Sequence, residues 1–288
     1  EMYELNVAAW LHDCGKITTP EYVVDKSTKL ETIFDRINLV DIRFEVLKRD
    51  AVITALKAII KENKDCDDID KELENNSALK NRLKELDDER IEIEKYNIGG
   101  ESLLDNDLKR IKELSENVYE NSVGESVHLL NDNEVENLQI SRGTLNRKER
   151  EIINNHVSMT IKMLESLPYP KHLKNVPEFA GCHHEKMDGT GYPNKLKGNQ
   201  MSIPARMIAI ADIFEALTAG DRPYKKGMSL SRALKILGRM KLENHIDPDL
   251  FDVFIDKKIY LIYAKEHLNE DQIDEINFQD IPGYNPLN

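Results

Sequence analysis

The first apolar positions of the chain, Leu5, Ala8, Ala9 and Leu11, recur at helical spacing and stop at the polar string His12-Asp13-Cys14-Gly15-Lys16. Pro20 then marks a break or a new helix start. From residue 33 the pattern changes. Ile33, Ile37, Val40, Phe44, Leu47, Ala51, Thr54 and Ala58 step alternately by four and three, a heptad-like seam. Beyond a polar stretch from Lys61 to Asp70, a second stripe runs through Ile69, Leu73, Leu79, Leu83, Leu86 and Ile93. The two stripes predict an antiparallel helical hairpin, closed by Gly99-Gly100, inside a helical insertion spanning 33–140. The dense mixed charge between Lys61 and Lys95 suits a solvated face with i,i+4 pairs. A coiled coil that makes a homodimer of the chain is the alternative. One further helix, Leu103 to Val118, and an irregular polar loop complete the insertion.

After residue 141 the predicted helices are 147–166, 173–186, 204–219, 229–241 and 248–267, punctuated by Pro168, Pro170, Pro177, Pro193, Pro204, Pro223 and Pro248. No stretch alternates with period two, so the expected fold is all-α. Its parts are a first domain made of 1–32 and 141–288 and an inserted domain of 33–140.

Composition narrows the functions. At 288 residues, 40% hydrophobic and 32% charged, the chain has the make-up of a soluble helical protein with ample length for a core. A net charge of -13 argues against DNA or RNA polymers as partners, because phosphate contacts need a basic surface. A small anionic substrate needs only a few local cations or a metal site. Cys14, Cys66 and Cys182 form no C-x-x-C pair, which suits a reducing cytoplasm. No apolar run approaches a membrane span. The chain begins in mid-pattern at Glu1 without an initiating Met, so it is expected to be a fragment, with a sensory or membrane-anchoring region expected upstream.

Candidate chemistry sits in four places. His12-Asp13, an imidazole beside a carboxylate near a helix end, can bind neighbouring metal ions; alone such a pair is more often a surface dipeptide or a helix-end hydrogen bond. His183-His184-Glu185, on a short helix, is followed by Asp188-Gly189-Thr190-Gly191-Tyr192-Pro193, whose glycines and proline force a tight turn. Asp212 ends a nearly all-apolar helical run, where a buried acid wants a metal, an Arg or a helix N-terminus. Asp221-Arg222-Pro223-Tyr224-Lys225 offers two cations after a stiff turn, as a phosphate clamp would. His156 by itself reads as a satisfied structural histidine. Glu185 and Asp188 are expected to orient the histidines from behind, and Cys14 and Cys182 to be buried thiols.

Taken in order, L-H-D-C-G-K, His156, H-H-E-K-M-D-G-T-G-Y-P, I-P-A-R-M-I-A-I-A-D and D-R-P-Y-K resemble the HD-GYP family of metal-dependent phosphohydrolases over residues 1–32 and 141–265. His245-Ile246-Asp247-Pro248 is similar to that family's closing helix. The resemblance implies an all-helical HD fold holding two or three divalent ions, iron or manganese. His12, Asp13, His156, His183, His184 and Asp212 fall on its ligand positions, with Asp13 as the bridge. Lys16, Arg222 and Lys225 fall on phosphate-holding positions, with Lys16 neutralising developing charge beside the catalytic Asp13, and Tyr192 lies in the loop that shapes the substrate pocket. The implied activity is hydrolysis of cyclic di-GMP to pGpG or GMP.

Three departures stand against the pattern. The family carries a metal-binding His upstream of the His-Asp pair, and here nothing precedes Glu1. The separation of His12 from His156 requires the long helical insertion, characteristic of a subgroup. Glu215 stands where many members have Asp, and the loop from Thr218 to Asp221 is one residue longer. Competing readings are an HD phosphohydrolase acting on another nucleotide, a catalytically impaired domain serving as a cyclic-dinucleotide receptor or interaction module, and a coiled-coil dimeriser that carries an enzyme.

Overall fold

The computed structural model describes residues 2–62, 68–100, 102–121, 123–220 and 227–284. The chain is all-α apart from one small hairpin among the described residues, and it divides into two compact units. The first contains Glu1–Pro20 and Glu151–Asn288, the second Glu21–Arg150. No helix among the described residues is long and apolar enough to cross a membrane.

The second unit begins at Glu21 and not at 33, because residues 21–32 contribute to its interior. After α1 (Met2–Leu11) and a 3-10 turn over Cys14–Thr18, the short α2 (Glu21–Val24) leads into an irregular segment that buries Leu30. Two long helices follow, α3 (Ile37–Glu62) and α5 (Ser77–Asn97), with α4 (Ile69–Asn75) between them. Asn76 starts α5 by accepting a hydrogen bond from the Leu79 backbone N–H. Val40, Phe44 and Leu47 of the heptad seam pack with Leu86 and Ile93 of α5 in one buried cluster. The outer members of that seam, Ile33, Thr54 and Ala58, are exposed.

Behind this hairpin, α6 (Asp105–Ser115) is followed by the antiparallel β1 (Val118–Glu120) and β2 (Ser126–His128), then by α7 (Asp132–Leu138). The polar loop expected here therefore contains a hairpin and a helix. An Asn131/Glu134 capping box starts α7: the Asn131 side chain accepts from the Glu134 N–H, and the Glu134 carboxylate accepts from the Asn131 N–H. Glu134 also takes the guanidinium of Arg43 at 2.6 Å. Lys26, fully buried, gives its ammonium to Glu149 at 2.8 Å, and residues 141–150 fall in this unit as well.

The first unit is built from α1, α8 (Arg147–Glu165), α9 (Val176–Gly181), α10 (Ile203–Thr218), α11 (Leu230–Leu242), α12 (Pro248–Asp256) and α13 (Ile259–His267); the residues of α8 up to Arg150 fall in the other unit. Ala8, Leu164, Val176, Phe179, Ala180 and Ile208 make one core, which ties α1, α8 and α9 to α10. Phe214, Leu234, Leu237, Phe251 and Tyr260 belong to another, beneath the C-terminal helices. The single helix expected over 248–267 is two helices. Lys258 adopts φ 53°, and the reversal returns Tyr260 and Ala264 to the core that Phe251 and Phe254 already occupy.

Candidate metal centre

The residues of the centre come from two turns that follow α1 and α9 and from the middle of α8 and α10. Where α1 stops, His12 and Asp13 turn away from the helix axis, and the 3-10 turn that follows lies against α8 at van der Waals limits. A Cβ on Gly15 would stand 2.0 Å from the His156 carbonyl oxygen, so only glycine fits there. Thr160, fully buried on α8, fastens this turn from both sides. Its Oγ1 accepts from the Gly15 N–H at 2.9 Å and donates to the His12 carbonyl at 3.1 Å. One helical turn earlier, His156 faces the same space.

His183 and His184 occupy a turn beyond the end of α9, not a helix. The expected helix 173–186 is shortened at both ends. Pro177 sits in the first turn of α9, and the helix ends at Gly181, where a Cβ would meet Ile161 Cγ1 at 2.5 Å. Asp212 comes from the middle of α10, a helix capped by Ser202 and anchored to α9 through the Glu178 carboxylate, which accepts from the Ser202 N–H and hydroxyl.

Three of the histidines share one device. The Nδ1 of His12, His156 and His183 lies 2.6, 2.5 and 2.6 Å from the carbonyl oxygen three residues earlier, on Ala9, Ile153 and Ala180. A carbonyl can only accept, so each Nδ1 carries a proton, and in the neutral ring each Nε2 presents a lone pair inward. There the side chains converge. Ligand atoms of His156, His183 and His184 lie within 4.8 Å of one another, as do those of His12, Asp13 and His183. Asp13 faces both groups: Oδ1 is 3.2 Å from His156 Nε2 and 3.8 Å from His183 Nε2, while Oδ2 is 3.3 Å from His12 Nε2. Asp212 Oδ1 is 3.5 Å from His12 Nε2.

These are approaches without hydrogen bonds. His12 Nε2, Asp13 Oδ1, His156 Nε2 and His183 Nε2 are all buried with no hydrogen-bond partner among the described residues. Leaving one such atom unmet costs about 1–3 kcal/mol. Four together, all offering electron pairs to one space, fit a cation. The arrangement can hold divalent metal, with His183 common to both groups of ligands.

Protonation agrees. Burial pushes His183 down to about 4 and His184 to about 3, so both are neutral, lone-pair donors near pH 7. For His12, burial also opposes charge, but the carboxylates of Asp13 and Asp212 outweigh it and raise the metal-free imidazole to about 10. Burial opposes the Asp13 charge too, yet His12, His156 and Lys16 hold its carboxyl far below the usual carboxylate range.

Around the cluster, Lys16 Nζ lies 2.6 Å from Asp13 Oδ2. Tyr192 stacks on His184, with ring centroids 4.8 Å apart at 20°, and so faces a metal-site ring directly. Glu185 and Asp188 do not touch the histidines through the hydrogen bonds they make. The buried Glu185 carboxylate accepts the backbone N–H groups of Asn194 and Leu196, and Asp188 accepts from the Thr190 N–H and hydroxyl. Both brace the glycine-rich loop. At its tightest point a Cβ on Gly191 would lie 2.4 Å from the Lys186 nitrogen. Cys182 is buried, and desolvation, with Glu178 and Glu185 adding to it, pushes its thiol up to about 12; it is a packed thiol beside the ligands. Arg222, Lys225 and Cys66 lie outside the described residues. Thr160 was not singled out in the sequence, although its spacing of four from His156 puts it on the same face of α8.

An all-helical unit that gathers histidines and aspartates from helices and turns around one buried space has the make-up of a helical metal-binding protein. Comparison with known proteins adds a family resemblance. The sequence model described as "HD domain" matches residues 133–250. A 3'3'-cGAMP-specific phosphodiesterase of Vibrio cholerae is 40% identical over 110 residues, 38% of this chain and 23% of that protein. A cyclic di-GMP phosphodiesterase of Pseudomonas aeruginosa is 44% identical over 73 residues, 25% of this chain and 17% of that one. Another, from Thermotoga maritima, is 31% identical over 126 residues, 43% of this chain and 33% of its own length. Residues 133–250 are thus similar to an HD domain, and the phosphodiesterase names of the relatives are consistent with one of the HD-GYP type. The matches span a third or less of these relatives' lengths.

Proposed function

We propose that this protein is a cyclic-dinucleotide phosphodiesterase that hydrolyses cyclic di-GMP to pGpG or GMP, using two or three iron or manganese ions. The observation that carries the reading is the set of four buried, unpartnered donor atoms on His12, Asp13, His156 and His183. His184 and Asp212 complete the ligand set, and Asp13, with one oxygen toward each group of histidines, is the bridge. Mixed imidazole and carboxylate donors suit iron or manganese better than magnesium, which prefers oxygen alone. Bound there, such ions would lower the pKa of a water and polarise the phosphoryl oxygen.

The remaining work falls to the chain. The carbonyls of Ala9, Ile153 and Ala180 fix the imidazole tautomers, and Thr160 holds the His12-Asp13 turn at its distance from His156. Lys16 keeps a cation beside Asp13, where it neutralises charge on the substrate phosphate. Tyr192 holds the His184 ring on the pocket side, and Arg222 and Lys225 hold substrate phosphate. The names of the relatives support a cyclic dinucleotide. The ligands read phosphate and not bases, so cyclic di-GMP and 3'3'-cGAMP are compared in the test.

Asp13→Asn is the variant of choice, since a neutral amide bridges metals poorly. Metal analysis and turnover of both dinucleotides should show lowered metal content and no hydrolysis in a folded protein. Full metal and full activity in that variant would overturn the assignment. Turnover of 3'3'-cGAMP alone by the unaltered chain would move the substrate and leave the site in place.

A further inference from the structure

Helix α3 is apolar on two opposite faces, and the second unit uses only one of them. Val40, Phe44 and Leu47 are buried against the rest of that unit. On the opposite side, Leu39, Ile42, Val46, Ile53, Leu56 and Ile60 repeat with the three-four spacing of a heptad over six turns of helix. None of them is buried: Ile42 is 61% exposed, Ile60 58% and Ile53 46%. Scattered surface isoleucines are ordinary. A heptad stripe about 30 Å long is not, because a helix apolar all round is normally enclosed.

We propose that this outer face of α3 is a dimer interface, pairing antiparallel with α3 of a second copy of the chain. The stripe itself selects the occupant. Its two ends are alike, with Leu39 and Ile42 at one and Leu56 and Ile60 at the other, so it complements its own reverse. Its one interruption is Arg49, followed by Asp50, at the midpoint. In an antiparallel pair centred there, Arg49 of each copy falls level with Asp50 of the other. A parallel pair would set Arg49 against Arg49, which is repulsive in a desolvated seam. The seam first visible in the sequence, through Val40, Phe44 and Leu47, is spent inside the unit, so the dimer uses the reverse side of the same helix. The inference is independent of the metal site and of the proposed activity.

The test is the mass of the whole 288-residue chain in solution, by light scattering and sedimentation at tens of micromolar. A dimer is expected, and Ile42→Glu with Ile53→Glu should weaken it by at least about a hundredfold, since two carboxylates per copy would enter the seam. Circular dichroism checks that the variant is folded. Independently of that variant, cysteines report the direction in a Cys66→Ser background. Leu39→Cys combined with Ile60→Cys should give covalent dimers under mild oxidation, while neither single substitution does. A monomeric parent chain, a dimer indifferent to the two glutamates in a folded protein, or cross-linking by each single cysteine would each overturn the proposal.

Discussion

Asp13 and Lys16 show how little room the centre leaves for neutral substitutions. With its ammonium 2.6 Å from Asp13 Oδ2, Lys16 is matched to a carboxylate that is also within 3.3 Å of His12. Arg222 and Lys225 are a different case, because their identity rests on sequence alone. As phosphate clamps they should each lower substrate affinity by about 1.5–3 kcal/mol when changed to Ala, the range of a charge-assisted hydrogen bond. Metal content should stay constant. Steady-state kinetics of the double variant settle the point: parameters equal to those of the unaltered chain would return both residues to the ordinary surface. Lys29, in the second unit, gives a pH prediction. Its buried ammonium donates to the Leu138 carbonyl at 3.0 Å, and burial, partly offset by Asp107, brings it down to about 8. Between about 8 and 10.5 the unfolded chain holds a proton that the folded chain has released, so stability rises with pH across that window. Lys29→Met lacks this contribution. In thermal melts, the stability of the unaltered chain relative to the variant should therefore increase from pH 7 to pH 10, and a pH-independent difference would contradict the shift.

The metal centre depends on how closely two elements approach, the turn after α1 and the helix α8. Gly15 permits the approach and Thr160 holds it. Thr160→Val keeps the shape but strands the buried Gly15 N–H, a cost of about 1–3 kcal/mol. It should also loosen the distance from Asp13 to His156, so metal content should fall with stability. Thr160→Ser, which preserves the hydroxyl, should recover most of both. Metal analysis and melting of the two variants separate a positioning role from simple packing, which would make Ser no better than Val. The same scale explains the misplaced boundaries. A heptad stripe announces α3 and α5 well, because periodicity is local. The break at Lys258, which returns Tyr260 and Ala264 to the core, depends on packing that no local pattern encodes. The hairpin of β1 and β2 has three residues per strand, too few for alternation to register.

For the whole molecule, the observed division into units changes which deletion is informative. Removing only 33–96 would strip Val40, Phe44, Leu86 and Ile93 from Ile111, Leu114, Leu129 and Leu138, which share their cluster. The remainder would expose a torn core. Replacing 21–146 with a Gly/Ser linker removes that cluster entire and leaves α8 whole. Every proposed ligand lies outside the excised span, so the product should bind the same number of metal ions per chain. If α3 forms the dimer, it should be monomeric as well. Loss of metal from a folded, helical deletion protein would show that the second unit supports the site.

What the sequence determined by itself was the all-α class and the residue types from which a metal site could be built. The all-α pattern, the His-Asp and His-His pairs, the isolated His156 and the Asp at the end of an apolar run are local features, and order along the chain was enough to relate them. Tertiary structure decided everything that depends on distance. It brought His156 to within 3.2 Å of Asp13 across the long insertion, and it turned Glu185 and Asp188 from the histidines toward the loop. It also made Thr160 a clamp and assigned one face of α3 to the interior. The reason is physical: residue type and periodicity fix what a side chain can do and which face it shares. Only packing fixes which polar atoms meet a partner and which, like the four donors of this centre, are held without one.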